Sequence, residues 1–189
     1  MKSIEIVFIG RANAGKSTLI KELFGFKARI GRRPGITRAP LRYQLEGLAV
    51  TDFPGLGFKR DLKGYERLVS ETIEHMVKDL DRQIIGVHVI DAVSFMAILQ
   101  RHAVPLDVEI FEYLLDLDID PIVAVNKIDK LKVLDETMNT IVSRLGMLPP
   151  YKQWTDRVVP ISAKRRQVDA LRRLLKQRIQ NMANVSLSH

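Results

Sequence analysis

Apolar residues along the chain fall into short continuous runs that alternate with longer stretches in which apolar positions recur every three or four residues. The short runs are rich in Val and Ile, which is typical of strands buried within a sheet. They predict six strands, at residues 4–9, 41–45, 48–52, 84–91, 122–126 and 158–161. Only Glu46 and Gly47 separate the second strand from the third, so these two strands should form a tight antiparallel hairpin.

The amphipathic stretches predict helices at residues 17–24, 64–80, 106–116, 133–145 and 166–182. Strands that alternate with helices usually form a parallel sheet. We therefore expect an α/β fold with a six-stranded, mostly parallel sheet, one antiparallel edge strand and helices on both faces, in a single domain over residues 1–189. Gly, Pro and Arg are frequent in residues 25–40 and 53–63, which should be surface loops, and residues 92–105 should be a long connection.

Composition is that of a globular protein with a surplus of positive charge. Hydrophobic residues make up 46% and charged residues 28% of the 189 residues. The 30 Lys and Arg against 22 Asp and Glu give a net charge of +8. This surplus favours a polyanionic partner. The alternative is that the charge only keeps the protein in solution. The chain has no cysteine, which excludes disulfides, thiolate metal sites and a catalytic cysteine and is compatible with a cytoplasmic location. No apolar run approaches the roughly 18 residues of a membrane span, so no transmembrane segment is expected.

A glycine-rich motif for phosphate binding follows the first predicted strand. Its sequence, GRANAGKS, fits G-x-x-x-x-G-K-[ST] and leads into a predicted helix. In this motif backbone N–H groups surround a phosphate, the lysine reaches the β- and γ-phosphate oxygens, and the hydroxyl of the last residue binds Mg²⁺. The residues expected to contact the nucleotide here are Gly10, Arg11, Ala12, Asn13, Ala14, Gly15, Lys16, Ser17 and Thr18. The motif alone leaves ATP and GTP open.

A guanine-recognition motif follows the fifth predicted strand. Asn126, Lys127 and Asp129 stand at the carboxyl end of the sheet, where open α/β folds bind their ligands. A carboxylate at Asp129 can accept hydrogen bonds from both the N1–H and the amine of guanine, whereas adenine would leave it unpaired. Asn126 can tie this loop to the phosphate loop, and the stem of Lys127 can lie along the base. After the last strand come Ser162, Ala163 and Lys164, and the Ala163 N–H should reach the guanine carbonyl oxygen.

Two further segments should contact Mg²⁺ and the γ-phosphate. The third strand ends in a D-x-x-G sequence whose carboxylate should hold Mg²⁺ through a water and whose glycine N–H should touch the γ-phosphate; its residues are Asp52, Phe53, Pro54 and Gly55. Between this strand and Ser17 lies a Pro-Gly-Ile-Thr segment that contributes Gly35, Ile36 and Thr37. Thr37 is the candidate for a second hydroxyl ligand, so the expected metal ligands are Ser17, Thr37 and Asp52.

These five motifs, in this order, resemble the P-loop G domain of translation-type GTPases. The octet at residues 10–17, RPGITR at 33–38 and DFPGLGF at 52–58 are similar to the EngB-type GTPases of the TrmE–Era superfamily, and most of all to its archaeal branch. The resemblance covers nearly the whole chain. It implies a monomeric protein that hydrolyses GTP in assembly of the large ribosomal subunit; a role with protein or membrane-surface partners in cell division and septation is the alternative. The chain departs from the bacterial pattern in having Asn126 where Thr is usual and Leu56 where an aromatic residue is frequent.

Hydrolysis needs a group that orients the attacking water, and Leu56 occupies the position where Ras-like enzymes carry a glutamine. In related GTPases an Asn at the position of Asn13 can coordinate K⁺ beside the phosphates, so K⁺ is a possible cofactor; a purely structural role for Asn13 is the alternative. Arginines could stabilise the same charge, and the candidates are Arg11, Arg32, Arg33 and Arg38. The expected catalytic residues are Lys16, Thr37, Gly55 and Asn13, with slow intrinsic turnover.

Basic residues concentrate in two clusters that could bind ribosomal RNA or a precursor of the large subunit. The first combines Lys27, Arg29, Arg32, Arg33, Arg38 and Arg42, with no acidic residue among them. The second lies in and before the last helix and contains Lys164, Arg165, Arg166, Arg172, Arg173, Lys176 and Arg178, for which a solvated helix face is the simpler interpretation. An ATP-dependent kinase or ATPase that shares only the phosphate loop remains a third possibility.

Overall fold

Six strands form one sheet in the order β2-β3-β1-β4-β5-β6 in this computed structural model, which describes residues 3–25, 39–45, 47–57, 62–78 and 80–187. The strands are β1 (Ser3–Ile9), β2 (Leu41–Leu45), β3 (Leu48–Asp52), β4 (Arg82–Asp91), β5 (Ile122–Asn126) and β6 (Val158–Pro160). The β2–β3 pair is antiparallel, and the other neighbours are parallel. The predicted sheet is confirmed, and its parallel strands place their carboxyl ends along one edge.

Helices lie on both faces of the sheet. They are α1 (Lys16–Phe24), α2 (Leu62–Lys78), α3 (Ala92–Leu99), α4 (Leu106–Asp116), α5 (Leu134–Arg144) and α6 (Asp169–Leu187), with short 3₁₀ turns at Ile128–Lys130 and Tyr151–Trp154. Side chains of α1 and α6 pack against one face. Those of α2 and α4 pack around β1 on the other face, and α3 and α5 cover β5 there.

Helix α3 corrects the expectation that residues 92–105 are only a connection. Its sequence, AVSFMAIL, is apolar almost all round, so it lacks the helical periodicity that marks the other helices. The Asp91 side chain caps it by accepting hydrogen bonds from the N–H groups of Val93 and Ser94, at 3.0 and 3.1 Å. A capped helix with a buried Phe95 therefore follows β4 directly.

The segment after β3 is also different from its prediction. The sequence predicts a surface loop over residues 53–63, but Phe53, Pro54 and Leu56 are buried. The Phe53 and Leu56 side chains are part of the core between the sheet and α2. Pro54 and Gly55 lie between them and are typical of loops, so the local sequence did not indicate this burial. Residues 58–61 and most of the predicted loop at 25–40 lie outside the described residues.

A buried carboxylate joins four strands near the end of the sheet opposite to the carboxyl ends of its parallel strands. Glu5 of β1 is fully buried. It accepts hydrogen bonds from the Thr51 hydroxyl at 2.5 Å and from Arg42 Nε at 3.1 Å, and Arg82 Nη1 lies 3.1 Å from its other oxygen. Charge alone places Arg42 in the basic cluster at 27–42, but its guanidinium forms an ion pair within the sheet.

Within the described ranges, every helix falls short of the combination of length and apolar character that crossing a lipid bilayer requires.

Candidate nucleotide-binding site

The phosphate loop leaves β1 at Gly10 and enters α1 at Lys16. Gly10 has a φ of 150°, and a Cβ there would lie 2.4 Å from the Val89 carbonyl oxygen. Gly15 has a φ of 98°, and its Cβ would lie 2.4 Å from Asn126 Nδ2. Both positions therefore require glycine for space as well as for backbone conformation. The loop brings the amino end of α1 to the carboxyl edge of the sheet, where its N–H groups can face an anion.

Lys16 extends back along the inside of this loop. Its Nζ donates to the carbonyl oxygens of Gly10 and Arg11, at 3.0 Å each. Burial lowers the pKa of Lys16 to about 8, against the opposite effect of the Asp52 and Asp107 carboxylates. The ammonium is thus held beside the position where a phosphate would sit, with carbonyl partners that it can exchange for phosphate oxygens.

Ser17 and Asp52 meet on the neighbouring side of the loop. The Ser17 hydroxyl donates to Asp52 Oδ2 at 2.5 Å. Burial raises the pKa of Asp52, while the Ser17 hydrogen bond and the Lys16 charge act the other way. Asp52 Oδ1 is buried with no hydrogen-bond partner among the described residues. A hydroxyl and a carboxylate with a spare oxygen fit Mg²⁺, which prefers oxygen ligands and takes the rest from phosphates and water. Gly35, Ile36 and Thr37 lie outside the described residues.

The D-x-x-G segment is joined to the phosphate loop through the backbone. Ala12 N donates to Leu56 O at 2.9 Å, and Leu56 N donates to Gly10 O at 3.3 Å. A Cβ at Gly55 would lie 2.5 Å from Ala12 Cα, so only glycine allows this approach. The Leu56 side chain is buried in the core below the loop. The residue at the usual glutamine position therefore packs in the protein interior, in agreement with the expectation that it does not hydrogen-bond a water.

Asn126 connects the end of β5 to two other loops. Its Nδ2 donates to Ala14 O at 2.8 Å, which confirms the predicted tie to the phosphate loop. Its Oδ1 accepts from Lys127 N at 2.8 Å and from Ala163 N at 3.0 Å. The Ala163 N–H, which is predicted to reach the guanine carbonyl oxygen, donates to Asn126 in this structure. One side chain therefore fixes the relative positions of three nucleotide-binding motifs.

Asp129 lies in the same corner. Its Oδ1 accepts a hydrogen bond from the Ser162 hydroxyl at 2.6 Å, and its Oδ2 lies 3.7 Å from Arg165 Nε. The Ser162 hydrogen bond lowers the pKa of Asp129 below its usual value, so the carboxylate is ionised at neutral pH. A pocket of about 110 Å³ opens beside it, lined by Gly15, Thr18, Asn126, Lys127, Asp129, Lys130, Ala163 and Lys164. The pocket joins the guanine motif to the phosphate loop.

The chain is similar in sequence to known GTP-binding proteins. Residues 5–127 match a family model described as a 50S ribosome-binding GTPase. A probable GTP-binding protein EngB from Methanosarcina mazei is 42% identical over 188 residues, which covers 95% of this chain and 90% of that protein. The Methanosarcina barkeri relative of the same name is 39% identical over the same shares of each chain. The chain belongs to the EngB family of GTP-binding proteins.

A solved structure agrees with the sequence relatives. The crystal structure of a probable GTP-binding protein engB superimposes with a TM-score of 0.69 at 35% identity and covers 94% of this chain and 97% of that one. As an EngB-type P-loop GTPase, the chain binds guanine nucleotides and hydrolyses GTP, and GTPases of this kind use Mg²⁺ with the nucleotide.

Asp91 is a polar residue of this EngB-family site that was not predicted from the sequence. Lys127 Nζ donates to Asn13 O at 2.8 Å and to Asp91 Oδ2 at 2.5 Å. Burial tends to raise the pKa of Asp91, but hydrogen bonds from Lys127 and Ser94 outweigh it and leave the pKa lowered. The signal was available, since Asp91 ends the strand next to β5 and is in register with Asn126. Asp91 thus anchors Lys127 over the phosphate loop.

We expect Asp91→Asn to weaken GDP and GTP binding about tenfold, because a charge-assisted hydrogen bond contributes about 1.5 kcal/mol or more. The Asn side chain still accepts from the α3 backbone, so the helix cap is retained. Titration of a fluorescent guanine nucleotide measures the affinity. Asp135→Asn, at an exposed pair with Lys152, is the matched control. Equal affinities for the two variants would contradict an anchoring role for Asp91.

Proposed function

We propose that this GTPase is a guanine-nucleotide switch in assembly of the large ribosomal subunit, acting as a cytoplasmic monomer. The observation that carries guanine specificity is the ionised Asp129, held by Ser162 in a pocket that opens onto the phosphate loop. The ribosomal part is supported by the description of the matching family model, a 50S ribosome-binding GTPase, and by the net charge of +8.

In this proposal the guanine base lies beside Asp129, and the phosphates lie in the loop at residues 10–17. Water attacks the γ-phosphorus, the bond to the β–γ bridging oxygen breaks, and GDP and phosphate leave. Lys16 stabilises negative charge on the β- and γ-phosphate oxygens, and the Gly55 N–H orients the γ-phosphate. Ser17, Asp52 and Thr37 are the proposed Mg²⁺ ligands; the bound ion would neutralise phosphate charge.

Asn13 is the proposed ligand for K⁺. The ion would supply the positive charge that an arginine supplies in other GTPases. Asn13 is exposed at the tip of the loop with a φ of 64°, and its carbonyl oxygen accepts from Lys127. We expect GTP hydrolysis at least about tenfold faster in KCl than in NaCl, and we expect Asn13→Ala to remove the difference. Phosphate release at matched ionic strength measures both rates. Equal wild-type rates in the two salts would exclude the role of K⁺.

The structure reduces the number of basic residues available to RNA near the last helix. Arg165 and Arg166 lie near Asp129 and Glu22, at 3.7 and 3.5 Å, and Arg178 near Asp120 at 3.4 Å. Arg172 donates to the Glu22 carbonyl oxygen at 3.0 Å and pairs with Asp169. Arg172 and Arg178 are half-buried in these contacts, whereas five members of the cluster remain exposed: Lys164, Arg165, Arg166, Arg173 and Lys176. A contact from this region would therefore use these five residues.

Co-sedimentation with precursors of the large ribosomal subunit tests the proposed function. We expect binding with a non-hydrolysable GTP analogue, weaker binding with GDP, and a steep loss of binding as salt increases. Mature small subunits are the control particle. Nucleotide-independent binding, or no enrichment over the control, would contradict the ribosomal role. Binding to a protein or membrane fraction that salt does not weaken would support the division-site alternative instead.

A further inference from the structure

A buried polar cluster lies directly below the phosphate loop, and the proposed function assigns no role to its side chains. Arg11 Nη1 lies 3.5 Å from Asp107 Oδ2, and the two side chains are 17% and 1% exposed. His88 is fully buried on β4, and its Nε2 lies 3.8 Å from Asp107 Oδ1. His88 also stacks on Phe111, with ring centroids 6.3 Å apart. The cluster therefore joins the phosphate loop, β4 and α4.

Burial makes the Asp107–Arg11 contact a strong restraint on Arg11. A carboxylate that is 1% exposed needs a countercharge or several donors. Over the described part of the chain, Asp107 Oδ1 and both ring nitrogens of His88 have no hydrogen-bond partner. Arg11 supplies this countercharge. A shift of the Arg11 backbone would move its guanidinium away from the Asp107 carboxylate.

The backbone of Arg11 is part of the link between the two phosphate-binding loops. Arg11 forms a parallel β-bridge with Leu56, and hydrogen bonds from Ala12 N to Leu56 O and from Leu56 N to Gly10 O lie on either side of it. Gly55 packs against Ala12 with no space for a Cβ. A rotation of Arg11 must therefore displace Gly55, the residue proposed to touch the γ-phosphate.

We propose that Asp107, acting through Arg11, is a positioning residue for GTP hydrolysis that fixes the position of the Gly55 N–H relative to the phosphate loop. The guanine pocket at Asp129 is held by other contacts, and Lys16 keeps its hydrogen bond to Gly10 O when Arg11 moves, so the effect falls on the rate of hydrolysis and nucleotide affinity changes little. Arg11 then acts at a distance from the phosphates and is not one of the charge-stabilising arginines. The inference rests on the GTP-hydrolysis part of the proposed function.

Asp107→Asn tests the inference, with kcat and KM for GTP measured separately. We expect kcat to fall about 10- to 100-fold, because small displacements of reacting groups have effects of that size, while KM and GDP affinity change less than about twofold. Arg11→Gln should give the same pattern, and Arg11→Lys, which keeps the charge, should recover part of the rate. Arg67→Gln, at an exposed ion pair with Glu71 on α2, is the matched control.

The double variant Arg11→Gln/Asp107→Asn protects the test against loss of folding, because it removes both charges together. If the two residues act as a unit, its kcat equals that of either single variant. Multiplied losses in kcat, or an unchanged kcat in a folded Asp107→Asn protein, would overturn the inference. A proportional loss of GDP affinity would also overturn it, since it indicates a general structural role. Absence of hydrolysis in the wild-type protein would instead contradict the proposed function.

Discussion

Asp129→Asn is expected to reverse the base preference of the site, so that xanthosine triphosphate binds more tightly than GTP. Xanthine carries a carbonyl oxygen where guanine carries its amine, and the Asn amide can donate to that oxygen while its own oxygen accepts from the ring N–H. GTP affinity should fall about 10³- to 10⁴-fold, because a buried polar site strongly rejects a base that leaves its groups unpaired.

Local structure should survive this substitution, because the Asn oxygen can still accept the 2.6 Å hydrogen bond from Ser162. Competition of GTP, XTP and ATP against a fluorescent nucleotide measures the preference, and thermal unfolding checks the fold. Ser162→Ala is the matched control: it should weaken GTP binding by about tenfold or less and leave the preference for GTP intact. If the Asp129→Asn variant still prefers GTP over XTP, the base does not meet this side chain.

Lys16→Ala is expected to reduce kcat/KM for GTP about 10³-fold or more, because it removes a preorganised positive charge from a buried site. The Lys16 ammonium, already positioned by the carbonyl oxygens of Gly10 and Arg11, needs little reorganisation to meet a phosphate. Lys16→Arg should not restore the rate, since the planar guanidinium is larger than the ammonium and the loop encloses it closely.

Lys21→Ala is the matched control for Lys16, because Lys21 is an exposed lysine on the same helix. Single-turnover hydrolysis and nucleotide titration distinguish an effect on rate from one on binding. Thermal unfolding of the two variants should be similar, since the Lys16 charge is costly to bury and contributes little to folding. If Lys16→Ala hydrolyses GTP as fast as Lys21→Ala, the loop at residues 10–17 does not hold the β- and γ-phosphates.

The strands, the hairpin and the order of motifs could be predicted because each depends on residues close together in sequence. Continuous apolar runs rich in β-branched residues mark β1 and β5, and the octet at 10–17 is a motif with a known loop geometry. Helix α3 could not be predicted in this way, because an apolar stretch without periodicity carries no signal of a helix face. Phe53 and Leu56 were assigned to a surface loop because Pro54 and Gly55 dominate the local pattern.

Contacts between distant residues were the other part that sequence did not reveal. Asn126 and Ala163 are 37 positions apart, and the partner of the Ala163 N–H depends on how β5 and β6 are spaced. Arg42 was counted by charge alone, and only the sheet register shows that its partner is Glu5. Asp91 likewise became a site residue once β4 and β5 were aligned. In each case the sequence allowed several chemically reasonable partners, and the alignment of the strands determined which one is in contact.

The buried Glu5 has a consequence for how the protein changes between its nucleotide states. Strand β2 follows the segment that carries Thr37 and is tied to the central strand by the Arg42–Glu5 pair. A slip of β2 along β3 would remove one of the two guanidinium groups that compensate the buried Glu5 carboxylate and leave only Arg82 beside it, which is destabilising. Strand β2 should therefore keep its register with β3 through the GTPase cycle. The segment that carries Thr37 would then change its conformation while its C-terminal attachment to β2 stays in place.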